Sequence, residues 1–358
     1  MLAYLLLIFI PLLTGTVIRL TNGRRFDLSS HRTLPVSLFF LILFFMLSLR
    51  AFSVGIDTPV YKNMFQRLIR YNFFSAYTDH IEYGFFVVCK LVSLIGLDFR
   101  GLLILIALFT LIVICRAFTE DDAYCFLKII LFANLSVFSI MFSALRQTIA
   151  VVIGLIAFRY VRQKKIIPFA LCVIAAILFH KSAFMLVLLY PFYYIRIKRN
   201  NLIVALLIIV LVFILNQPIF RLLYSFLSEI YPFAKVGSTG AYNMILLLLG
   251  LFVFCFIVPS EESLSNDTIA MRNYLFLALC VQLFAPLHSL AMRLNYYYQI
   301  FIPMLIPDVL KHASPKMKSM AEAANYVMCL FFVCYFYYNA LQQGDTLHIF
   351  PYVPFWRG

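Results

Sequence analysis

The stretch Ser143-Ala144-Leu145-Arg146-Gln147-Thr148-Ile149-Ala150 stands between two long apolar runs, at 124–143 and 147–161. An arginine so placed either ends a membrane span at a surface or is buried for a purpose. Outward from this stretch the apolar runs recur along the whole chain. Of 358 residues, 64% are apolar and only 12% charged, and the mean hydropathy is +0.96. A soluble domain of this length would divide into a core and a charged surface, so the balance points to an integral membrane protein. Alternating ten-residue strands are missing, which favours an all-α polytopic bundle over a barrel.

Taking each run as a helix predicts about twelve transmembrane spans. They fall near 2–19, 34–49, 101–118, 124–143, 147–161, 166–180, 183–196, 201–216, 241–259, 273–290, 294–310 and 323–340. No linker or internal repeat divides the chain, so 1–358 reads as a single polytopic membrane domain. The run from Met1 to Val17 has no basic residue ahead of it and contains Pro11, so it is expected to be a retained helix and not a cleavable signal. The eight cysteines lie mostly inside apolar runs, without a C-x-x-C pair or histidines at ligand spacing. They read as free thiols, and neither a metal nor another cofactor is expected. P-loop, G-x-G-x-x-G, H-E-x-x-H and G-x-S-x-G patterns are all missing, which leaves nucleotide hydrolysis and zinc or serine chemistry without support.

A formal charge of +14 first reports topology in such a chain, and no basic run is dense enough to argue for nucleic acid. The basic short loops hold Arg19, Arg24, Arg25 and Arg32; Arg159, Arg162, Lys164 and Lys165; Arg196, Lys198 and Arg199; and Lys311, Lys316 and Lys318. Placing these in the cytoplasm puts both termini outside and leaves two long outer loops, about 50–100 and 217–240. Within the first, Tyr83–Leu97 fits an amphipathic or re-entrant helix, because a crossing there would invert every later basic loop. The same threading gathers Arg50, Asp57, Glu82, Arg100, Arg146, His180, Lys181, His288 and Arg293 at the outer face. Basic residues there run against the positive-inside trend and need another explanation.

Arg146 opens a span, the end of a helix that favours anions over cations. It either snorkels or receives a phosphate or carboxylate. Arg293 repeats the pattern in Arg293-Leu294-Asn295-Tyr296-Tyr297-Tyr298, where the tyrosines are either interfacial anchors or a glycan-stacking surface. His180 and Lys181 occupy an outer turn in Phe179-His180-Lys181-Ser182-Ala183, supplying a proton carrier beside a positive charge, or simply the polar residues that a turn requires. Asp57, in Gly55-Ile56-Asp57-Thr58-Pro59-Val60-Tyr61, and Glu82, in Glu82-Tyr83-Gly84-Phe85-Phe86, are either general bases or partners of Arg50, Arg67 or Arg70.

Taken together, the acidic and aromatic outer loop, the Arg146-Gln147 pair opening a helix, the His180-Lys181-Ser182 turn and the late Arg293-to-Tyr298 run resemble the EpsG family. These are bacterial exopolysaccharide and O-antigen polymerases of the Wzy type. The resemblance spans roughly 34–310 and implies a GT-C-like glycosyltransferase of the bacterial plasma (inner) membrane, working at its periplasmic or extracellular side without a metal. It would join oligosaccharide repeat units carried on undecaprenyl pyrophosphate, with membrane lipid around it and a chain-length regulator and a flippase as partners. Arg146, Gln147, His180 and Arg293 match the family pattern, and Asp57, Tyr61 and Glu82 match it more loosely.

Arginine forks suit developing phosphate charge. The expected pyrophosphate grip is therefore Arg146 and Arg293, with Arg50 or Lys181 added. His180, Asp57 or Glu82 would handle the acceptor proton, and Gln147, Tyr61, Tyr296 and Tyr297 would contact the glycan. The main rival is a lipid-linked oligosaccharide flippase, whose cations should line a central cavity open to both faces. A membrane acyltransferase would need its histidine near a cytoplasmic acyl donor, and a scaffold would leave the charges at helix ends without a purpose.

Overall fold

The computed structural model describes residues 2–21, 33–71, 81–227, 241–342 and 347–357. Arg24, Arg25 and Arg32 of the first basic loop, and residues 228–240 of the second outer loop, lie outside the described residues. In chain order the α-helices are α1 (Leu2–Thr21), α2 (Leu34–Leu49), α3 (Thr58–Leu68), α4 (Tyr83–Leu94), α5 (Phe99–Thr119), α6 (Cys125–Asn134), α7 (Ser136–Ser143), α8 (Leu145–Arg162) and α9 (Ile166–Phe179). They continue as α10 (Leu189–Tyr194), α11 (Leu202–Ile214), α12 (Asn216–Leu227), α13 (Ala241–Ile257), α14 (Asn266–Gln282), α15 (Ser289–Gln299), α16 (Ile302–Lys311) and α17 (Lys318–Gln342). No strand is present among the described residues, so the all-α reading holds.

Each expected span falls on helix, but three are interrupted. The range 124–143 is α6 and α7, bent by 59° at Leu135, whose backbone is extended. The side chain of Asn134 holds that break open: its Nδ2 donates to the Ile130 carbonyl at 2.8 Å and to Phe332 O at 3.0 Å. The range 183–196 begins as a tight 3₁₀ helix, Lys181–Leu188, before α10. The range 294–310 is divided between α15 and α16, and Pro303 in the first turn of α16 has no N–H with which to continue the preceding ladder.

By length and composition, two helical stretches cross a bilayer unaided, Phe99–Thr119 and Pro315–Gln342. Two bent pairs, α6 with α7 and Arg199–Ile214 with Asn216–Leu222, qualify when each is counted as one. Leu2–Ile18, Leu34–Leu49, Tyr83–Leu94, Ile166–Phe179 and Ala241–Ile257 are shorter apolar helices.

The chain packs as two compact units. The first comprises Met1–Tyr160, Lys165–Phe184 and Ala324–Gly358. An aromatic core runs through it, with Phe39, Phe40, Phe118, Phe132 and Phe138 packed edge to face. The expected outer loop here carries α3 and α4, both amphipathic. Helix α3 buries Thr58, Tyr61, Met64, Phe65 and Leu68, the one-face spacing of an α-helix, and exposes Asn63, Gln66 and Arg67. Helix α4 buries Phe85, Phe86, Cys89 and Val92.

A segment with no counterpart in the sequence reading closes this unit. Residues 347–357 lie along the 50–56 turn: the N–H groups of Ala51, Gly55 and Ile56 donate to the carbonyls of Val353, His348 and Leu347 at 2.8–2.9 Å. Ile349 and Phe350 are buried, with the Tyr4 hydroxyl donating to Ile349 O. Gly55 has φ +90°, and a Cβ there would lie 1.9 Å from Phe142 O, so only glycine fits this turn.

The second unit, Val161–Lys164 with Met185–Ala323, is built on α14, which is buried along nearly its whole length. Buried Arg272 of α14 pairs with Glu261 at 2.6 Å and lies over the Phe256 ring.

Candidate functional site

The site of the first unit is assembled by helix ends. Asp57 caps α3 and Glu82 caps α4, so both carboxylates sit where a helix N-terminus welcomes negative charge. Arg146 is the second residue of α8. Its own helix dipole disfavours a cation, and the compensation is local. Arg146 Nη1 donates to Glu82 Oε2 in an ion pair, with the side chains 21% and 10% exposed. Its Nε donates to the Tyr61 hydroxyl at 3.4 Å, and its guanidinium lies 5.8 Å from the centre of the Tyr61 ring. Glu82 is therefore paired with Arg146, not with Arg50, Arg67 or Arg70.

The other Glu82 oxygen, Oε1, accepts the backbone N–H of Lys181 at 3.2 Å. One carboxylate thus ties the start of α8 to the turn after α9. This is possible because Gly84 lets the two helices touch: a Cβ there would lie 2.7 Å from Leu178 O. Lys181 is exposed, whereas His180 is 8% exposed and its Nδ1 lies 2.6 Å from Ser182 Oγ. Ser182 is fully buried. Asp57 is fixed likewise, its Oδ2 accepting from Ser143 Oγ at 2.9 Å while its N–H donates back to that oxygen at 3.3 Å. Gln147 is buried one residue beyond Arg146.

The first unit thus groups Glu82, Arg146, Tyr61 and the His180-Lys181 turn, with Asp57 on the adjoining Ser143. Two serines belong to the arrangement that the sequence reading left without a role. Ser143 and Ser182 each stand within a few residues of the charged group they flank, and a hydroxyl beside a candidate acid or base was the available signal.

Arg50 differs from the others. It is 1% exposed, and Nη1 reaches only Met141 O at 3.4 Å, with the Phe142 ring 5.5 Å away. Nε and Nη2 have no hydrogen-bond partner among the described residues. Burial pulls its pKa down to about 9, opposed by the phenols Tyr4 and Tyr352 and reinforced by Arg100. Burial likewise pushes Tyr352 up, with Arg50 and Arg100 pulling against it. Arg100 closes the end of α2, its Nη1 donating to Ser48 O and Arg50 O at 2.9 and 2.8 Å.

Arg293, Tyr296 and Tyr297 belong to the second unit. Arg293 is exposed on the second turn of α15, whose N-cap, His288, accepts the Leu290 N–H on its Nδ1. Tyr297 is fully buried, Tyr296 is 8% exposed, and the hydroxyl of fully buried Tyr298 donates to Met185 O at 2.7 Å. Behind them Asn295 donates to Gln282, both buried. Among the described residues no group of three His, Cys, Asp or Glu side chains could hold a metal ion.

The sequence profile of the EpsG family matches residues 33–353, nearly the entire chain. No curated protein and no solved structure matches it.

Proposed function

This chain belongs to the EpsG family, and from that premise we propose that it is a membrane-bound polysaccharide polymerase. It would join oligosaccharide repeat units carried on undecaprenyl pyrophosphate at the outer face of a bacterial plasma membrane. The growing chain passes from its lipid carrier to a hydroxyl at the non-reducing end of a single carrier-bound unit. The bond from the anomeric carbon to the pyrophosphate oxygen breaks, a new glycosidic bond forms, the acceptor hydroxyl loses its proton, and undecaprenyl pyrophosphate leaves.

The observation that carries this reading is the Arg146–Glu82 pair beside Tyr61 and Lys181. It is a guanidinium held ready by a carboxylate that an incoming pyrophosphate can displace. Arg146 and Lys181 grip the donor pyrophosphate together with Arg293, because planar, always-charged guanidinium groups stabilise charge as it develops on phosphate oxygens. Glu82 then serves as the counter-ion that receives Arg146 back after release. His180, fixed by Ser182, or Asp57, fixed by Ser143, takes the acceptor proton. Tyr61, Gln147, Tyr296 and Tyr297 contact the glycan. The leaving group is already activated, so the transfer does not require a metal. The spans carry the lipid tails between apolar helices as a GT-C-like polytopic bundle, and a chain-length regulator and a flippase work beside it.

The test is polysaccharide ladder length in cells lacking the gene, complemented at matched expression with wild type or Arg146→Ala. The expected outcome is long chains with wild type and single repeat units at the surface with the variant, whose polymerisation rate falls at least about a hundredfold. Repeat units trapped in the cytoplasmic leaflet of the deletion strain would sink the polymerase reading and make the protein a flippase.

A further inference from the structure

The guanidinium of Arg50 lies in a small closed cavity of the first unit, away from the Arg146 pair. The cavity is lined by Leu47, Leu103, Thr110, Met141, Leu145 and Thr148. The side chain is 1% exposed, two of its nitrogens are orphaned, and no carboxylate among the described residues contributes to its electrostatic surroundings. A buried cation without a counter-charge is among the costliest arrangements a fold can contain, and a buried polar group without a partner points to an unseen water or ion.

The cavity decides between occupants by size. It offers about 10 Å³ to the centre of a water-sized sphere, room for one particle. Pyrophosphate does not fit, so Arg50 stands apart from the donor grip proposed for Arg146. A water would satisfy the orphaned N–H groups but leave the charge uncompensated. A halide-sized anion does both. The Thr148 hydroxyl is shared between the Ile140 and Ala144 carbonyls at 3.1 Å each. The second of those already accepts an N–H, from Thr148 itself at 2.9 Å. The hydroxyl can therefore turn toward an anion without orphaning that helical carbonyl.

We propose that this cavity is a structural site for a small monovalent inorganic anion of chloride size, bound by Nε and Nη2 of Arg50 and the Thr148 hydroxyl. The ion is the counter-charge of the junction where α2 ends and α7 meets α8.

Equilibrium dialysis of radiolabelled chloride against the purified full-length protein reads the site directly. Melting in sodium chloride, bromide and gluconate at equal ionic strength reads its effect on stability. One saturable chloride per chain is expected, with a melting temperature raised by roughly 4 °C over gluconate at a hundredfold excess over Kd. Both signals should disappear in Arg50→Met. Should that variant fail to fold, Ala107→Val, which fills the cavity with hydrocarbon and leaves the guanidinium in place, gives the same reading. No saturable chloride on the wild type means that the cavity holds water only and overturns the proposal. Uptake unchanged in either variant places the ion elsewhere and overturns it as well.

Discussion

Arg146 and Glu82 meet although one opens α8 and the other caps α4. Each group answers the other's electrostatic problem: the cation sits at the wrong end of its own helix, and the carboxylate neutralises it in a place that also suits the N-terminus of α4. The same economy operates around Ser143, which both donates to Asp57 Oδ2 and accepts from the Asp57 N–H. Ser143→Ala removes the donor to a charged acceptor, so stability should fall by about 1–2 kcal/mol, read as a shift in thermal unfolding. An unchanged melting temperature would mean that solvent holds Asp57 as well as the serine does. The charged members of this group were legible in the sequence because charge is rare in so apolar a chain. Their pairing was not, since Glu82 had several candidate arginines and only the packing of α4 selects Arg146.

At the level of elements, Gly84 decides how near α4 approaches α9. A methyl group there would sit 2.7 Å from the Leu178 carbonyl and must push the helices apart. Gly84→Ala should cost about 1–3 kcal/mol through this overpacking, despite the better helix propensity of alanine. It should also lengthen the hydrogen bond from Lys181 N to Glu82, with a loss of polymer length beyond what the lower melting temperature explains. A variant as stable as wild type would refute the close contact. Glycine in Glu82-Tyr83-Gly84-Phe85-Phe86 was visible in the sequence, but a small residue announces close approach only when its neighbour is known. The breaks in 124–143 and 294–310 have the same character. Asn134 and Pro303 could each be read as polar or proline interruptions, yet both runs remained apolar enough to pass for continuous helices.

At the scale of the molecule, the first unit is closed by a segment from the far end of the chain. Removing residues 347–358 strips three backbone hydrogen bonds from the 50–56 turn and exposes the surface covered by Ile349 and Phe350. The expected loss is roughly 5 kcal/mol, from those bonds and the buried apolar area. It should appear as a lowered melting temperature of the truncated protein, and a melt matching the full chain would show that the turn holds without its cover. The sequence by itself determined the solvent class, the helical architecture, the positions of most helices and the short inventory of charged groups. Each of these follows from local composition and period, since a helix satisfies its backbone within one segment. The tertiary structure alone decided that Glu82 holds Arg146, that Ser143 and Ser182 fix Asp57 and His180, that Arg50 is sealed in a cavity and that residues 347–357 cover the turn. Those are contacts between residues far apart in the chain, and no local pattern encodes which distant surface a side chain will meet.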